Sequence, residues 1–571
     1  RALREEDLDA AFAALVALVE GPADVLVPVP EDLARGPGAW WPAPRVAEVL
    51  LARLPESGRA KARARWGVGA ASRLERARAE GNEEILSRLA DQRAFLPEGR
   101  TAIALLVARD LEAGRAARVV RRARRWLRLA GEEDGPERAR MVMQLAVALD
   151  LLGDRGARMR LAQRFPGLVE PAGPLPGPGP TRGDGARAKA ARLLPSDPVV
   201  LWTRPLEGGP VAKVGDPWGR EGWPVGEAGG QADGDDLLLA EDGLVRRIEA
   251  HTGREIWRFP ARSSPPARWR HDPLSLYLPY DRPVRSVTPA GDLVLAVLGE
   301  PGATGTFTYL GGTIALDDLP REHRGRLVAL DRATGRPRWW TGGRGETDPV
   351  LGDPATSCAS PPFVDGDRVL ALFARRRGGS EIHLAALDRE SGRVLWVRFL
   401  GTGESGRARD VTEGAPRFAA EGVQAVPWGA RPAVAGDEIC VVPHAGFAAG
   451  LDRESGRIRW LRQLPRYDGT AWRLTPEGFS ARNAPQAVGS AWLLAPMDSP
   501  RLVALARGSG RLVWSLPAAP PDESPSTWHL LGVRAAAGGG SRLRLMGRRP
   551  VRIDLAGPDP RVESPSESAP G

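Results

Sequence analysis

Histidine, cysteine and clustered carboxylates are the side chains that would carry catalysis or hold a metal ion. In this sequence the histidines and cysteines are few and far apart. The two cysteines, Cys358 and Cys440, form no Cys-x-x-Cys pair, and the sequence leaves open whether they are bridged. The motifs of serine hydrolases, phosphate-binding loops and zinc peptidases are absent. The six histidines lack the close spacing of metal ligands; they are His251, His271, His323, His383, His444 and His529. We therefore expect no catalytic residue, no metal site and no cofactor.

Acidic residues do recur, in a pattern whose chemistry is that of a turn. A Thr or Ser follows the acid position by three residues, a Gly by four and a Trp by eight. Asp and Thr or Ser hydrogen-bond to turn amides, and Gly adopts a positive φ, so turn geometry explains the acid better than catalysis does. The pattern occurs five times, the last copy having Ala506 at the acid position: Glu249, Thr252, Gly253, Trp257; Asp331, Thr334, Gly335, Trp339; Asp388, Ser391, Gly392, Trp396; Asp452, Ser455, Gly456, Trp460; Ser509, Gly510, Trp514.

Each copy predicts a β-hairpin, and a second turn signal precedes it, as at Gly291, Gly366 and Gly436. Two hairpins per repeat predict a four-stranded antiparallel sheet, and such sheets in series are typical of a β-propeller. We predict an all-β propeller of six blades over residues 198–556, with ring closure through the strand that ends at Trp202. Seven blades remain open if residues 208–232 or the long interval around 277–317 hide another blade.

Residues 1–168 show helical periodicity instead. Apolar residues recur at spacings of three and four, beginning with Leu8, Phe12, Leu15 and Leu18, and short Gly- or Pro-containing loops separate the helical segments. This predicts an all-α domain of helical hairpins, tetratricopeptide-like in outline. Residues 169–197, rich in Pro, Gly and Ala, are predicted to be a linker, and residues 557–571 a disordered tail.

Charge argues against a nucleic-acid partner, because the formal net charge of +9 is spread over the chain and interleaved with acids. One helix, 115–128, is dense in arginine. Its Arg118, Arg121, Arg122 and Arg125 could form a patch for phosphate, anionic lipid or an acidic partner. A solvated face paired with neighbouring acids is the favoured interpretation. No apolar run is long enough for a transmembrane helix.

The fivefold pattern resembles the AxDxxTGxxxW signature of pyrroloquinoline-quinone-like (PQQ-like) propeller repeats, over residues 198–556. In that family the Trp docks against the neighbouring blade. Its members are quinone-dependent dehydrogenases or non-enzymatic scaffolds, including a lipoprotein of the outer-membrane barrel-assembly machinery. The enzymes use an adjacent cysteine pair or its equivalent, a Trp floor, a Ca²⁺ site and an Asp base. This sequence has no adjacent cysteines and no base that can be matched by motif.

The resemblance therefore implies a non-catalytic scaffold that presents its propeller to a protein or cell-envelope partner. A PQQ-dependent dehydrogenase, and a protein that binds anionic surfaces or nucleic acid through helix 115–128, are the alternatives. The helical region and linker also resemble the front half of large exported bacterial propeller proteins, which implies a periplasmic or cell-surface location. Loop length alone selects residues 277–317 and 401–426 as contact loops.

Overall fold

The structure is a computed structural model. It describes residues 8–21, 25–34, 36–130, 135–151, 155–169, 229–241, 244–259, 286–298, 306–309, 312–315, 325–342, 346–376, 380–403, 418–419, 429–465, 483–496, 499, 501–517, 529–535, 541–546, 550–554 and 561–563. The chain divides into two compact units. One is built on the described helices of the N-terminal region, and the other on the described strands from residue 229 onward.

The N-terminal unit is helical, as the sequence predicts, with one short hairpin that the sequence analysis missed. Its elements are α1 (Leu8–Glu20), β1 (Leu26–Pro28), α2 (Glu31–Ala34), β2 (Ala39–Pro42), α3 (Ala43–Leu51), α4 (Glu56–Glu80), α5 (Glu83–Arg93), α6 (Pro97–Glu112), α7 (Ala116–Leu129), α8 (Gly135–Leu151) and α9 (Arg155–Arg164). Strands β1 and β2 pair in antiparallel register from Leu26↔Pro42 to Pro28↔Trp40.

Local sequence explains where these helices begin and end. Gly81 ends α4 in the left-handed conformation, with φ of 64°. Asn82 then caps α5, because its side chain accepts a hydrogen bond from the backbone N–H of Ile85 at 3.1 Å. The helices enclose one apolar core around the buried rings of Trp66 and Trp126. No helix in the described part of the chain is both long and apolar enough to cross a membrane.

The second unit consists of strands. They are β3 (Gly229–Asp233), β4 (Asp236–Glu241), β5 (Leu244–Glu249), β6 (Glu255–Phe259), β7 (Val287–Ala290), β8 (Leu293–Leu298), β9 (Thr306–Tyr309), β10 (Gly312–Ala315), β11 (Arg326–Asp331), β12 (Pro337–Trp340), β13 (Thr356–Cys358), β14 (Phe363–Asp365), β15 (Arg368–Arg376), β16 (Ser380–Asp388), β17 (Val394–Gly403), β18 (Phe418–Ala419), β19 (Ala433–Ala435), β20 (Glu438–Val441), β21 (Phe447–Asp452), β22 (Ile458–Gln463), β23 (Gln486–Val488), β24 (Ala491–Leu494), β25 (Arg501–Ala506), β26 (Leu512–Pro517), β27 (His529–Ala535), β28 (Ser541–Met546), β29 (Pro550–Asp554) and β30 (Arg561–Glu563).

Within the described residues, these strands form six antiparallel meanders in chain order. They are β3–β4–β5–β6, β7–β8–β11–β12, β14–β15–β16–β17, β19–β20–β21–β22, β23–β24–β25–β26 and β27–β28–β29–β30, with β13 as an extra partner of β15. In the first five sheets the acid position ends the third strand and the Trp lies on the fourth, as at Asp331 and Trp339. The sequence pattern therefore marks the last hairpin of each of these sheets.

Consecutive sheets pack face to face, which is why their middle strands are apolar on both sides. Every residue of β8 is buried. Its Val294 and Ala296 join a core with Leu238 of the preceding sheet, while the alternate residues of β8 join a core with the following sheet.

The predicted ring-closing strand, linker and C-terminal tail have different outcomes. Trp202, together with the linker beyond residue 169, lies outside the described residues. Strand β30 falls within residues 557–571, where the sequence predicts a tail, and pairs with β29 from Arg552↔Glu563 to Asp554↔Arg561.

Candidate functional site

In the first four copies of the repeat, the acid and the hydroxyl residue close one turn. Asp331 Oδ1 accepts hydrogen bonds from the backbone N–H of Thr334 at 2.9 Å and from its hydroxyl at 2.8 Å. Asp388 accepts the same two bonds from Ser391, at 2.9 and 2.6 Å. Related contacts join Glu249 with Thr252 and Asp452 with Ser455.

These contacts hold the turn acids in the ionised form. Arg338 and Thr334 lower the pKa of Asp331 to about 2. Hydrogen bonds from Ser391 likewise lower the pKa of Asp388 below its ordinary value. A general acid or base works best with a pKa near the operating pH, so carboxylates with lowered pKa values act here as hydrogen-bond acceptors.

The Trp of one repeat packs on the Gly of the next repeat along the chain. A Cβ atom added at each Gly would lie 2.7, 2.5 and 2.6 Å from the indole ring in the pairs Gly335 with Trp257, Gly392 with Trp339, and Gly456 with Trp396. The indole N–H groups of Trp257 and Trp339 also donate to the carbonyls of Arg332 and Arg389, at 2.9 and 2.8 Å. Glycine is therefore required at this position for two reasons: the backbone has a positive φ, and the indole ring lies too close to leave room for a side chain.

The fifth copy keeps the turn without the acid. The N–H of Gly510 donates to the carbonyl of Ala506 at 2.9 Å, and the Ser509 hydroxyl accepts from the N–H of Arg511 at 3.4 Å. Trp460, from the fourth copy, is fully buried, whereas Trp514 is half-buried on β26.

An arginine that the sequence analysis overlooked makes a second link between consecutive sheets. Arg332 pairs with Asp233 of the preceding sheet at 2.8 Å and donates to the carbonyl of Gly291 in its own sheet at 3.3 Å. Arg453 does the same with Asp365 at 2.9 Å and Gly436 at 3.0 Å.

Arg507 repeats this geometry, because it donates to Ala435 of the preceding sheet at 2.8 Å and to Gly489 at 3.0 Å. The signal was present in the sequence: an arginine directly follows the acid position in every copy but the first, where Ala250 stands. The repeat residues thus form a joint between neighbouring sheets.

The arginine-rich helix α7 is engaged inside the helical unit. Arg122 forms an ion pair with Asp110 of α6, which is fully buried. Arg125 donates to Glu48 of α3 at 2.9 Å and pairs with Asp91 of α5 at 3.2 Å. The other two residues of the predicted patch, Arg118 and Arg121, are half-buried and have contacts of their own. Two of the four predicted patch residues therefore tie α7 to its neighbouring helices.

The residues that a quinone cofactor would require are not assembled among the described residues. No three His, Cys, Asp or Glu side chains in this part of the chain could hold one metal ion. Cys358 and Cys440 are separate, buried free thiols. Burial raises the pKa of Cys358 to about 12 and also raises that of Cys440, so neither is a thiolate at neutral pH. The described side chains therefore do not fit a Ca²⁺-bound quinone.

One histidine that looked scattered in the sequence lies in a buried polar cluster. His383 is 4% exposed, and neither of its ring nitrogens has a hydrogen-bond partner among the described residues. Its Nε2 lies 3.5 Å from Glu381, which accepts a hydrogen bond from Arg375 at 2.6 Å. Burial lowers the pKa of His383. The signal is the strand period of two, which places residues 381 and 383 on one face of β16.

The remaining histidines are dispersed. His251 lies in the exposed turn after β5, His444 is buried with φ of 54°, and His529 begins β27. His271 and His323 lie outside the described residues.

The two loops that the sequence selected by length meet in a small sheet of their own. Strand β9 pairs with β10 through Thr308↔Thr313 and with β18 through Thr308↔Ala419. Strands β9 and β10 come from the connection between β8 and β11, and β18 comes from the connection between β17 and β19. The predicted loop 277–317 was drawn too wide, because it also contains β7 and β8, which are strands of the second sheet; only the connection between β8 and β11 can be a contact loop. The rest of that connection and most of residues 401–426 lie outside the described residues.

In a four-stranded meander the first and third turns lie at one end, while the second turn and the link to the next sheet lie at the other. The acid–Gly turn is the third turn. The small sheet β10–β9–β18 therefore belongs to the end opposite the joints.

Comparison with known proteins supports the repeat assignment. Residues 241–471 match the family model described as outer membrane protein assembly factor BamB. No curated protein matches the chain.

Solved structures give only weak likenesses. BamB from Moraxella catarrhalis is 14% identical with a TM-score of 0.34, covering 59% of this chain and 72% of that one. A quinohemoprotein alcohol dehydrogenase from Pseudomonas putida HK5 is 12% identical with a TM-score of 0.33, covering 59% of this chain and 55% of that one. The corresponding enzyme from Comamonas testosteroni is 15% identical with a TM-score of 0.33, covering 57% and 52%.

This chain therefore spans about half the length of the two dehydrogenases. TM-scores of this size do not distinguish an enzyme from a non-enzymatic propeller. The family match covers the first four copies of the acid–Thr/Ser–Gly–Trp turn, and residues 241–471 are therefore similar to the PQQ-like repeats of the BamB-type family.

Proposed function

We propose that this chain is a non-catalytic scaffold of the cell envelope, periplasmic or at the cell surface. Its propeller would have six blades, one for each four-stranded sheet, and would bind a protein or another envelope component through one loop face. The BamB description of the matched family supports an envelope partner.

The small sheet β10–β9–β18 is the observation that carries this proposal. It combines the two long loops into one surface, at the end of the sheets opposite the Trp–Gly and Arg joints. The joints tie neighbouring sheets together at one end. Loops held on such a rigid frame are where binding residues are commonly found.

Thr308 is the position at which this surface can be tested, because it pairs with both neighbouring strands. Thr308→Pro removes a backbone N–H and disrupts the pairing of β9. We expect the variant to lose its crosslinks to a partner in intact cell envelopes while its urea-unfolding midpoint stays close to that of the parent. Thr308→Ser is the matched control and should crosslink normally. An unchanged crosslinking pattern in Thr308→Pro would remove the support for this binding surface.

The dehydrogenase alternative has a direct test, which is calorimetric titration of the full chain with pyrroloquinoline quinone and Ca²⁺. We expect no binding, because the described residues supply neither a metal-ligand cluster nor a cysteine pair. Stoichiometric binding with micromolar affinity would overturn the scaffold proposal and direct attention to an alcohol or sugar substrate.

A further inference from the structure

Helix α8 exposes an apolar stripe that its own unit leaves uncovered. Met143, Val147 and Leu151 follow one another at spacings of four and are 50%, 47% and 61% exposed. Residues four apart lie on the same face of a helix. The opposite face of α8, with Met141, Leu145 and Leu149, is fully packed into the core.

Helix α9 extends this surface. Arg158 of α9 pairs with Asp150 of α8 at 3.1 Å, which brings the end of α8 beside the first turns of α9. Met159, the next residue, is 53% exposed. Met143 and Met159 are two of the chain's five methionines, whereas Met141 faces the core. Unbranched methionine adapts to varied shapes, which makes it common on surfaces that bind a partner helix.

Exposed arginines lie on the two helices that carry the stripe. Arg140 lies one turn before Met143 on the same face, and Arg160 and Arg164 lie on α9. All three are exposed, and none forms an ion pair with any described residue. Helices α8 and α9 together contain six arginines and two acids, and one of those acids, Asp150, is already paired.

We propose that the α8–α9 face binds an amphipathic helix of a partner protein, whose apolar side covers Met143, Val147 and Leu151 and whose acidic flanks meet Arg140 and Arg160. This site lies in the helical unit and does not depend on what the propeller binds. Apolar anchors at helical spacing with flanking charge pairs are the usual form of helix-in-groove recognition.

The same observations disfavour two other occupants. A second copy docking through this face would place arginines against arginines. A lipid surface is usually met by aromatic and bulky apolar side chains. Helices α8 and α9 contain no aromatic residue, and the ring of Phe165 just beyond them is covered by Arg138 and Arg164, at 5.5 Å each.

The test uses a dye-labelled synthetic helix with leucines on one face and glutamates on both flanks, titrated with the full chain and followed by fluorescence anisotropy. We expect binding that weakens about tenfold or more in Val147→Glu, the loss that corresponds to about 1.4 kcal/mol at an interface anchor. The double variant Arg140→Glu/Arg160→Glu should weaken binding similarly. Val68→Glu is the matched control, because Val68 is 84% exposed on α4, outside the stripe. A peptide with lysines in place of the glutamates should fail to bind.

Four results would overturn the proposal. The first is no binding of the glutamate peptide, or equal effects of Val147→Glu and Val68→Glu. The second is binding to phosphatidylglycerol vesicles without binding to the peptide. The third is a dimer in sedimentation analysis that Val147→Glu dissociates. The fourth is peptide binding that appears only after deletion of residues 170–197, which would identify the chain's own linker as the occupant.

Discussion

Gly392→Ala adds one methyl group at a position where two separate costs coincide. The backbone of Gly392 has φ of 70°, a conformation that alanine adopts only with strain. The added Cβ would also lie 2.5 Å from the ring of Trp339, which is 8% exposed and packed between neighbouring sheets. The ring cannot withdraw without losing the hydrogen bond from its N–H to the carbonyl of Arg389.

The expected loss follows from these two terms. A non-glycine residue in the left-handed region costs roughly 1–2 kcal/mol. Forcing an extra carbon into a packed contact costs about 1–3 kcal/mol. Gly392→Ala should therefore lower the free energy of unfolding by roughly 2–5 kcal/mol.

Gly366 provides the matched control within the same sheet. Its φ is 63°, but no atom lies within 4 Å of an added Cβ. Gly366→Ala should therefore cost only the backbone strain, roughly 1–2 kcal/mol.

Urea unfolding of the full chain, followed by tryptophan fluorescence and far-ultraviolet circular dichroism, measures these differences. A double-mutant cycle with Trp339→Ala isolates the contact, because removing the ring should relieve the clash and give a coupling of roughly 1–3 kcal/mol. Equal midpoint shifts for Gly392→Ala and Gly366→Ala, or additive effects in the cycle, would refute the Trp–Gly joint.

Two further predictions concern buried charge. Arg125→Ala should destabilise the helical unit by about 3–5 kcal/mol, because it leaves the carboxylate of Glu48, which is 7% exposed, without its cation. The control Arg88→Ala removes one side of an exposed ion pair and should cost less than about 1 kcal/mol. Equal urea-unfolding midpoints for the two variants would contradict the prediction for Arg125. Burial lowers the pKa of His383, so its contribution to stability is present above the ordinary value of 6.5 and is lost as pH falls through the lowered pKa. The melting temperature should therefore fall as the pH is lowered below 6.5, and it should fall less steeply in His383→Gln. Parallel plots of melting temperature against pH for the two proteins would show that His383 is not responsible.

Local signals in the sequence account for much of the fold. The acid, the Thr or Ser and the Gly identify a turn because their hydrogen bonds and φ values are satisfied within a few residues, as between Asp331 and Thr334. Helical periodicity likewise identifies an amphipathic helix from spacing alone. The β1–β2 hairpin and strand β30 were missed, because short pairings of this kind depend on which strand lies alongside.

The candidate site was less accessible from the sequence. The period of a strand could have placed Glu381 beside His383, but the burial of His383 could not have been predicted, since burial depends on how the neighbouring sheet packs. The same limit applies to α7. Its arginines were visible, but the carboxylates that engage them, Glu48 and Asp110, come from other helices.

The sequence by itself determined the repeat, the strand on which each Trp lies and the helical character of the first region, because these depend on contacts between residues close together in the chain. Only the tertiary structure decided that Trp339 rests on Gly392 of the next repeat, that Arg453 reaches back to Asp365, and that two distant loops share strand β9. Those contacts join residues far apart in the chain. They are set by the stacking of whole sheets, which brings the last hairpin of one sheet against the side of the sheet before it.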